Sequence, residues 1–241
     1  MKKKLYLFSG ITVILLLCLL AGFAFYVHDY YHADPSVEQY MESQDEVNTR
    51  EITEGLFLDG PGRERALIFY PGGKVEYRAY LPLCHKIAAG GIDCFLLEMP
   101  CNLAVLDINK ADSIFENYTY PEWIIGGHSL GGAAAAIYAA DHKEQVQGLL
   151  LLGAYPTKQL GADLYVLELY GSEDRVLNRE RLLKGNDFLP VHTVREEIPG
   201  GNHAGFGSYG PQKGDGPAGI SGEEQQEITA QRTADMFPED G

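Results

Sequence analysis

Residues 123–140 read Trp-Ile-Ile-Gly-Gly-His-Ser-Leu-Gly-Gly-Ala-Ala-Ala-Ala-Ile-Tyr-Ala-Ala. An aromatic and β-branched lead-in passes through a Gly-x-Ser-x-Gly turn into a run of alanines. The first part favours a strand and the last a helix, so the chain must turn abruptly from one to the other at Ser129. A Cβ at Gly127 or Gly131 would crowd the neighbouring strand or helix, and glycine alone lets the two segments close on each other. With 28 glycines in the chain, the bare pentapeptide would arise by chance roughly one time in ten. Its weight comes from the strand before it and the small-residue helix after it, which together call for a sheet with helices packed closely on it.

The rest of the chain repeats that alternation. Short apolar runs at residues 56–58, 66–70, 94–98, 123–125, 148–152, 165–170 and 192–198 read as strands. Helical patterns fall at 77–89, 103–115, 130–140, 178–184 and 222–237. Strands alternating with helices imply right-handed crossovers and a mostly parallel central sheet with helices on both faces, an α/β fold. The run Leu149-Leu150-Leu151-Leu152 fits a strand buried on both sides. Residues 153–164 are too few to hold a large cap domain, whereas the Gly-rich stretch 200–219 is expected to form a lid-like rim.

The N-terminus has a different character. Lys2, Lys3 and Lys4 are followed by 23 residues, 5–27, without a charge. That length suits a transmembrane signal-anchor helix, which needs about 20 apolar residues. A cleaved signal peptide, for which Gly22 and Ala24 supply small residues, would have a shorter apolar region. The lysines place residues 1–4 in the cytoplasm and the chain beyond the span outside the membrane. Residues 28–50 then read as a membrane-proximal linker and 51–241 as one domain. The net charge of −15, which becomes −18 beyond residue 4, argues against nucleic acid and against adhesion to anionic lipid. Of the four cysteines, Cys84, Cys94 and Cys101 lie beyond the span; buried thiols are expected, with a Cys84 to Cys101 bridge left open. No Cys-x-x-Cys or His-Glu-x-x-His spacing occurs, so neither a metal nor a cofactor is expected.

The serine suggests chemistry. A serine hydroxyl becomes a nucleophile when a base takes its proton and a carboxylate orients the base. After a strand-turn-helix serine, the expected chain order is acid and then histidine. The strand at 165–170 ends in Gly171-Ser172-Glu173-Asp174, which makes Asp174 the preferred acid and Glu173 the fallback. His203 follows the last strand through Pro199-Gly200-Gly201-Asn202 and is the expected base. His128, inside the pentapeptide, is expected to point away from that base. The oxyanion needs two backbone N–H groups, expected from Leu130 and from Gly73 in the turn Pro71-Gly72-Gly73-Lys74.

Four segments carry a resemblance. They are residues 68–75 (Ile-Phe-Tyr-Pro-Gly-Gly-Lys-Val), 99–104 (Met-Pro-Cys-Asn-Leu-Ala), the serine turn, and 201–210 (Gly-Asn-His-Ala-Gly-Phe-Gly-Ser-Tyr-Gly). In these the chain resembles the α/β-hydrolase fold-5 family of bacterial, often membrane-anchored or secreted proteins. The resemblance spans nearly all of residues 50–237 and implies the α/β-hydrolase fold and the Ser129, Asp174, His203 assignment. It implies no substrate. Residues 210–216 also resemble the family, with no mechanistic role attached. The expected activity is a serine hydrolase acting on a small-molecule or lipid-like ester. An acyltransferase using the same three residues and a catalytically silent binding module are the alternatives.

Overall fold

The crossovers implied by the alternating pattern are present in the computed structural model, which describes residues 2–44 and 46–237. Two units are distinct, Met1–Tyr30 and Tyr31–Gly241. The first is the helix α1, Lys2–His28. The side chains of residues 2–11 and 13, on which much of the expected span falls, lie outside the described residues. Among the described residues no helix is long and apolar enough to cross a membrane.

In the second unit, the described residues form one sheet from β1 (Asn48–Ile52), β2 (Gly55–Asp59), β3 (Arg65–Tyr70), β4 (Asp93–Leu97), β5 (Glu122–His128), β6 (Gly148–Leu152), β7 (Tyr165–Gly171) and β8 (Thr193–Ile198). The spatial order is β1-β2-β4-β3-β5-β6-β7-β8. β2 pairs antiparallel with both β1 and β4, and every other pairing is parallel. Strands β3, β4 and β6 are buried at every position. Their side chains alternate between two cores, as the two-residue period of a strand requires. Leu67, Phe69, Leu150 and Leu152 face the core beneath α2 (Leu81–Ala89) and α6 (Gly222–Met236). Ile68, Tyr70, Leu149 and Leu151 face the core beneath α3 (Asp112–Asn117) and α4 (Leu130–Asp141). A short α5, Arg179–Lys184, follows β7.

Three expectations change. Residues 31–50, read as a membrane-proximal linker with a short helix as the alternative, contain a 3-10 helix at Pro35–Met41 and pack onto the domain: Val37 and Val47 are each 1% exposed in the core, and Tyr31 bridges to Val75. Two apolar residues scattered among polar ones bury only because the folded sheet supplies their partners. The helix expected at 103–115 breaks into short 3-10 turns at Asp107, whose backbone is non-helical at φ −155 and ψ 67, and only α3 remains helical. Cys84 and Cys94 are buried free thiols, as expected, whereas Cys101, also expected to be buried, is free and exposed, and the bridge left open between Cys84 and Cys101 is not formed.

Because β3, β5, β6, β7 and β8 run parallel, their C-terminal ends share one edge of the sheet. The turns leaving Tyr70, His128, Leu152, Gly171 and Ile198 therefore converge, although they are separated by many residues in sequence.

Candidate active site

Ser129 sits between β5 and α4 with φ 53 and ψ −120, a conformation unfavourable for any residue with a Cβ. Close packing fixes it there. A Cβ on Gly131 would lie 2.2 Å from the Tyr70 and Pro71 carbonyl oxygens, and one on Gly127 would lie 2.4 Å from the Tyr70 carbonyl oxygen. The Ser129 N–H donates to the Leu152 carbonyl at 2.9 Å, and its own carbonyl accepts from Ala133 at 3.0 Å. Its backbone is thereby committed and its side chain, partly exposed, is not.

Leu130 is the first residue of α4, so its N–H has no acceptor within the helix and lies at the positive end of the helix dipole. Gly73 is beside it, and a Cβ at Gly73 would come within 2.7 Å of Leu130 Cδ2. The turn carrying Gly73 is pinned on both sides. Gly72 N–H donates to the Tyr80 hydroxyl at 3.1 Å, and Lys74 N–H donates to the Asn102 carbonyl at 2.8 Å. The structure thus brings the two expected oxyanion donors to neighbouring positions.

The expected acid and base also meet. Asp174 Oδ1 accepts from the N–H groups of Val176 and Leu177 at 2.9 and 2.8 Å, while Oδ2 accepts from His203 Nδ1 at 2.8 Å. Both side chains are buried. With Nδ1–H donated to the carboxylate, the lone pair of the neutral ring is on Nε2. Nε2 is buried and has no hydrogen-bond partner among the described residues. Glu173 does not reach the ring; its carboxylate accepts from the Ser172 hydroxyl at 3.3 Å. Gly153, at φ 53 after β6, lies under the pair, where a Cβ would stand 3.0 Å from His203 Nδ1 and 3.2 Å from Asp174 Oδ2.

Ser129, Leu130 and His203 line one cavity of about 340 Å³, walled also by Tyr155, Val176, Leu177, Asn178 and Arg181. Ser129 and His203 share this cavity without a direct hydrogen bond between them. Such contacts are often loose before substrate arrives. Among the described residues, no cluster of His, Cys, Asp or Glu is placed to hold a metal ion.

The sequence pattern of the alpha/beta hydrolase family matches residues 66–227, which runs from β3 through the acid and base loops into α6. The chain belongs to the alpha/beta hydrolase family. No curated protein matches it in sequence. Among solved structures it is similar to a Thermoplasma acidophilum protein described as a "predicted CIB-like hydrolase" (13% identity, TM-score 0.58, covering 78% of this chain and 99% of that one). It is also similar to the serine hydrolase CarC of carbazole degradation (14%, 0.56, 79% and 98%). A third is Est1E from Butyrivibrio proteoclasticus (12%, 0.56, 79% and 98%). At these identities the likeness is one of fold.

Two features of this hydrolase depart from the sequence pattern or go beyond it. His128 does not point away from the base: its ring packs against that of His203 with centroids 4.4 Å apart. The Tyr80 hydroxyl, which accepts from Gly72, donates its one proton to His128 Nδ1 at 2.8 Å. Burial raises the Tyr80 pKa well above its ordinary value, so the donor stays protonated. Burial, reinforced by the neighbouring His203, pushes the His128 pKa well down, against a smaller opposing contact with the His203 backbone. His128 therefore stays neutral and packs between the His203 ring and the Tyr80 hydroxyl that pins the Gly72 turn.

The second feature gives residues 210–216 a role. Asp215 Oδ2 accepts from Ala204 N–H at 2.9 Å, next to His203, and Oδ1 accepts from Arg175 N–H at 3.3 Å, next to Asp174. Asn202 Nδ2 donates to the Gly216 carbonyl at 2.9 Å. The segment straps the Asp174 and His203 loops together. The family-like pattern at 210–216 signals that the segment matters, but nothing in it singles out Asp215.

Proposed function

We propose that this α/β-hydrolase is a serine hydrolase of carboxylic esters that works through an acyl-enzyme on Ser129. The observation that carries the reading is the strained Ser129 sharing a cavity with the buried His203–Asp174 pair. His203 Nε2 takes the Ser129 proton as Oγ attacks the ester carbonyl. Asp174 holds the ring and stabilises its positive charge. The oxyanion is received by the N–H groups of Gly73 and Leu130, each such donor typically worth about 3 kcal/mol in the transition state. Collapse expels the alcohol, which leaves with the proton from His203. Water, deprotonated by the same nitrogen, then attacks the acyl-enzyme and frees the acid.

Ser129→Ala is expected to abolish both p-nitrophenyl butyrate turnover and fluorophosphonate labelling. Labelling that survives the substitution overturns the reading.

The same proposal includes location. The uncharged segment 5–27 behind three lysines supports a single-pass anchor with the hydrolase domain outside the cell membrane. The full-length protein should sediment with membranes, resist alkaline carbonate extraction and be cleaved by protease added to intact cells. Recovery in the soluble fraction, or protection from the protease, overturns it.

A further inference from the structure

The cavity that Ser129 lines has an unusual balance of charge. The protein carries 34 acidic against 19 basic residues, yet no Asp or Glu lines the cavity, and Arg181 is the lining residue with a permanent positive charge. Its neighbours on α5 are engaged elsewhere. Arg179 pairs with Glu197 at 3.1 Å, donates to the Gly171 carbonyl at 2.9 Å and stacks over Tyr170 at 4.4 Å. Lys184 pairs with Glu180 at 2.7 Å. The Arg181 guanidinium has no ion pair among the described residues.

The nearby carboxylates are also committed. Asp174 is bound by His203 and two backbone N–H groups, Glu173 by Ser172, and Asp215 by the strap. Asn178, another lining residue, spends its side-chain oxygen on the Arg181 backbone N–H at 2.9 Å as the cap of α5. What Asn178 has left to offer the cavity is its NH₂ group. The two exposed side chains line the same cavity as Ser129 and offer it hydrogen-bond donors without a counter-charge, together with the apolar Val176 and Leu177. A planar guanidinium next to an amide donor matches a carboxylate or phosphate better than a neutral group.

Resting on the hydrolase reading above, we infer that the preferred substrates are esters carrying an anionic group close to the scissile carbonyl, and that Arg181 with Asn178 selects them. The anion could be on the acyl side or on the alcohol side, and the test separates these. For the acyl side, p-nitrophenyl hydrogen adipate is compared with p-nitrophenyl methyl adipate. For the alcohol side, 4-butyryloxybenzoate is compared with its methyl ester.

In one pair the wild-type protein should show kcat/KM about tenfold higher for the charged member, mainly through KM, with the advantage shrinking as salt is added. Arg181→Gln should bring that charged-to-neutral ratio to about one, and Arg181→Lys should leave an intermediate ratio. A merely structural role for Arg181 would lower both members together and leave the ratio alone. Ratios near one for the wild type in both pairs, or a ratio untouched by Arg181→Gln, overturn the inference. Failure of the wild type to cleave any of the four esters would instead count against the hydrolase reading itself.

Discussion

The two ends of the parallel strands carry cavities of similar size and opposite chemistry. At the N-terminal end a hollow of about 410 Å³ is lined by Arg65, Glu122, Tyr165 and Phe237. There Arg65 Nε donates to Glu122 at 2.5 Å, an ion pair that leaves Arg65 Nη1 buried without a partner among the described residues. At the C-terminal end the smaller cavity holds a strained serine, a buried histidine nitrogen with no partner and an arginine with no counter-ion among the described residues. Volume alone would favour the N-terminal hollow. The C-terminal cavity differs in that a serine hydroxyl, an unpartnered histidine nitrogen and an uncompensated guanidinium line one space with no carboxylate among its lining residues.

Substitutions at the two ends should therefore separate activity from stability. The largest effect is expected from Asp174→Asn, which keeps the size of the acid but removes the charge that orients His203. Ester kcat should fall on the order of 10⁴-fold with the fold retained by circular dichroism. A fall of less than tenfold would mean that Asp174 does not orient the base.

Asp215→Ala removes the strap while leaving both loops intact in sequence. A tenfold to hundredfold loss in kcat, about the scale of a small displacement of the reacting groups, is expected with little change in KM. Asp215→Asn keeps one acceptor oxygen and should recover part of the loss. If KM rises instead, Asp215 serves binding and not alignment.

At the other end, Glu122→Ala should leave ester turnover within about twofold of wild type. It should lower stability to urea by about 1–2 kcal/mol, because the Arg65 side chain is buried and loses a charged partner. Lost activity at full stability would erase the distinction between the two ends.

The smallest effect is a pH dependence. His128 resists protonation in the folded state and titrates near its ordinary pKa of 6.5 when unfolded. Below about pH 6.5 the unfolded chain thus takes up a proton that the folded chain refuses. Stability falls as pH falls, and the loss saturates once the depressed folded pKa is passed. His128→Asn retains an acceptor for Tyr80 and should flatten this acid limb in urea midpoints measured between pH 7 and 4. An unchanged slope would show that His128 is not its source.

Much of this architecture is legible in short stretches of sequence. The Gly-x-Ser-x-Gly turn, the buried strand β6 and the acid and base turns after β7 and β8 are each written in a few adjacent residues. β1 escapes such a reading because Asn48–Ile52 is polar at its exposed positions and buries only Thr49 deeply. The apolar pattern at 103–115 suits a helix, and only the backbone at Asp107 shows where it breaks. The direction of His128 is hidden for a related reason: where a side chain points from a tight turn depends on what packs around it, here Tyr80 and His203.

Local sequence is enough to dictate the strand-turn-helix at Ser129, the order serine, acid, histidine, and the parallel alternation that puts those residues at strand ends. These follow from propensity, glycine sterics and period, all of which act over a few neighbouring positions. Which polar atoms meet is a matter of packing. The assembled sheet lays β5 between β3 and β6, sets His128 against His203 and ties Asp215 to both loops. It also leaves Arg181 lining the cavity while Arg179, two residues away, turns to Glu197. Those pairings join residues that are mostly far apart in the chain, and only the packed sheet brings them within hydrogen-bonding reach.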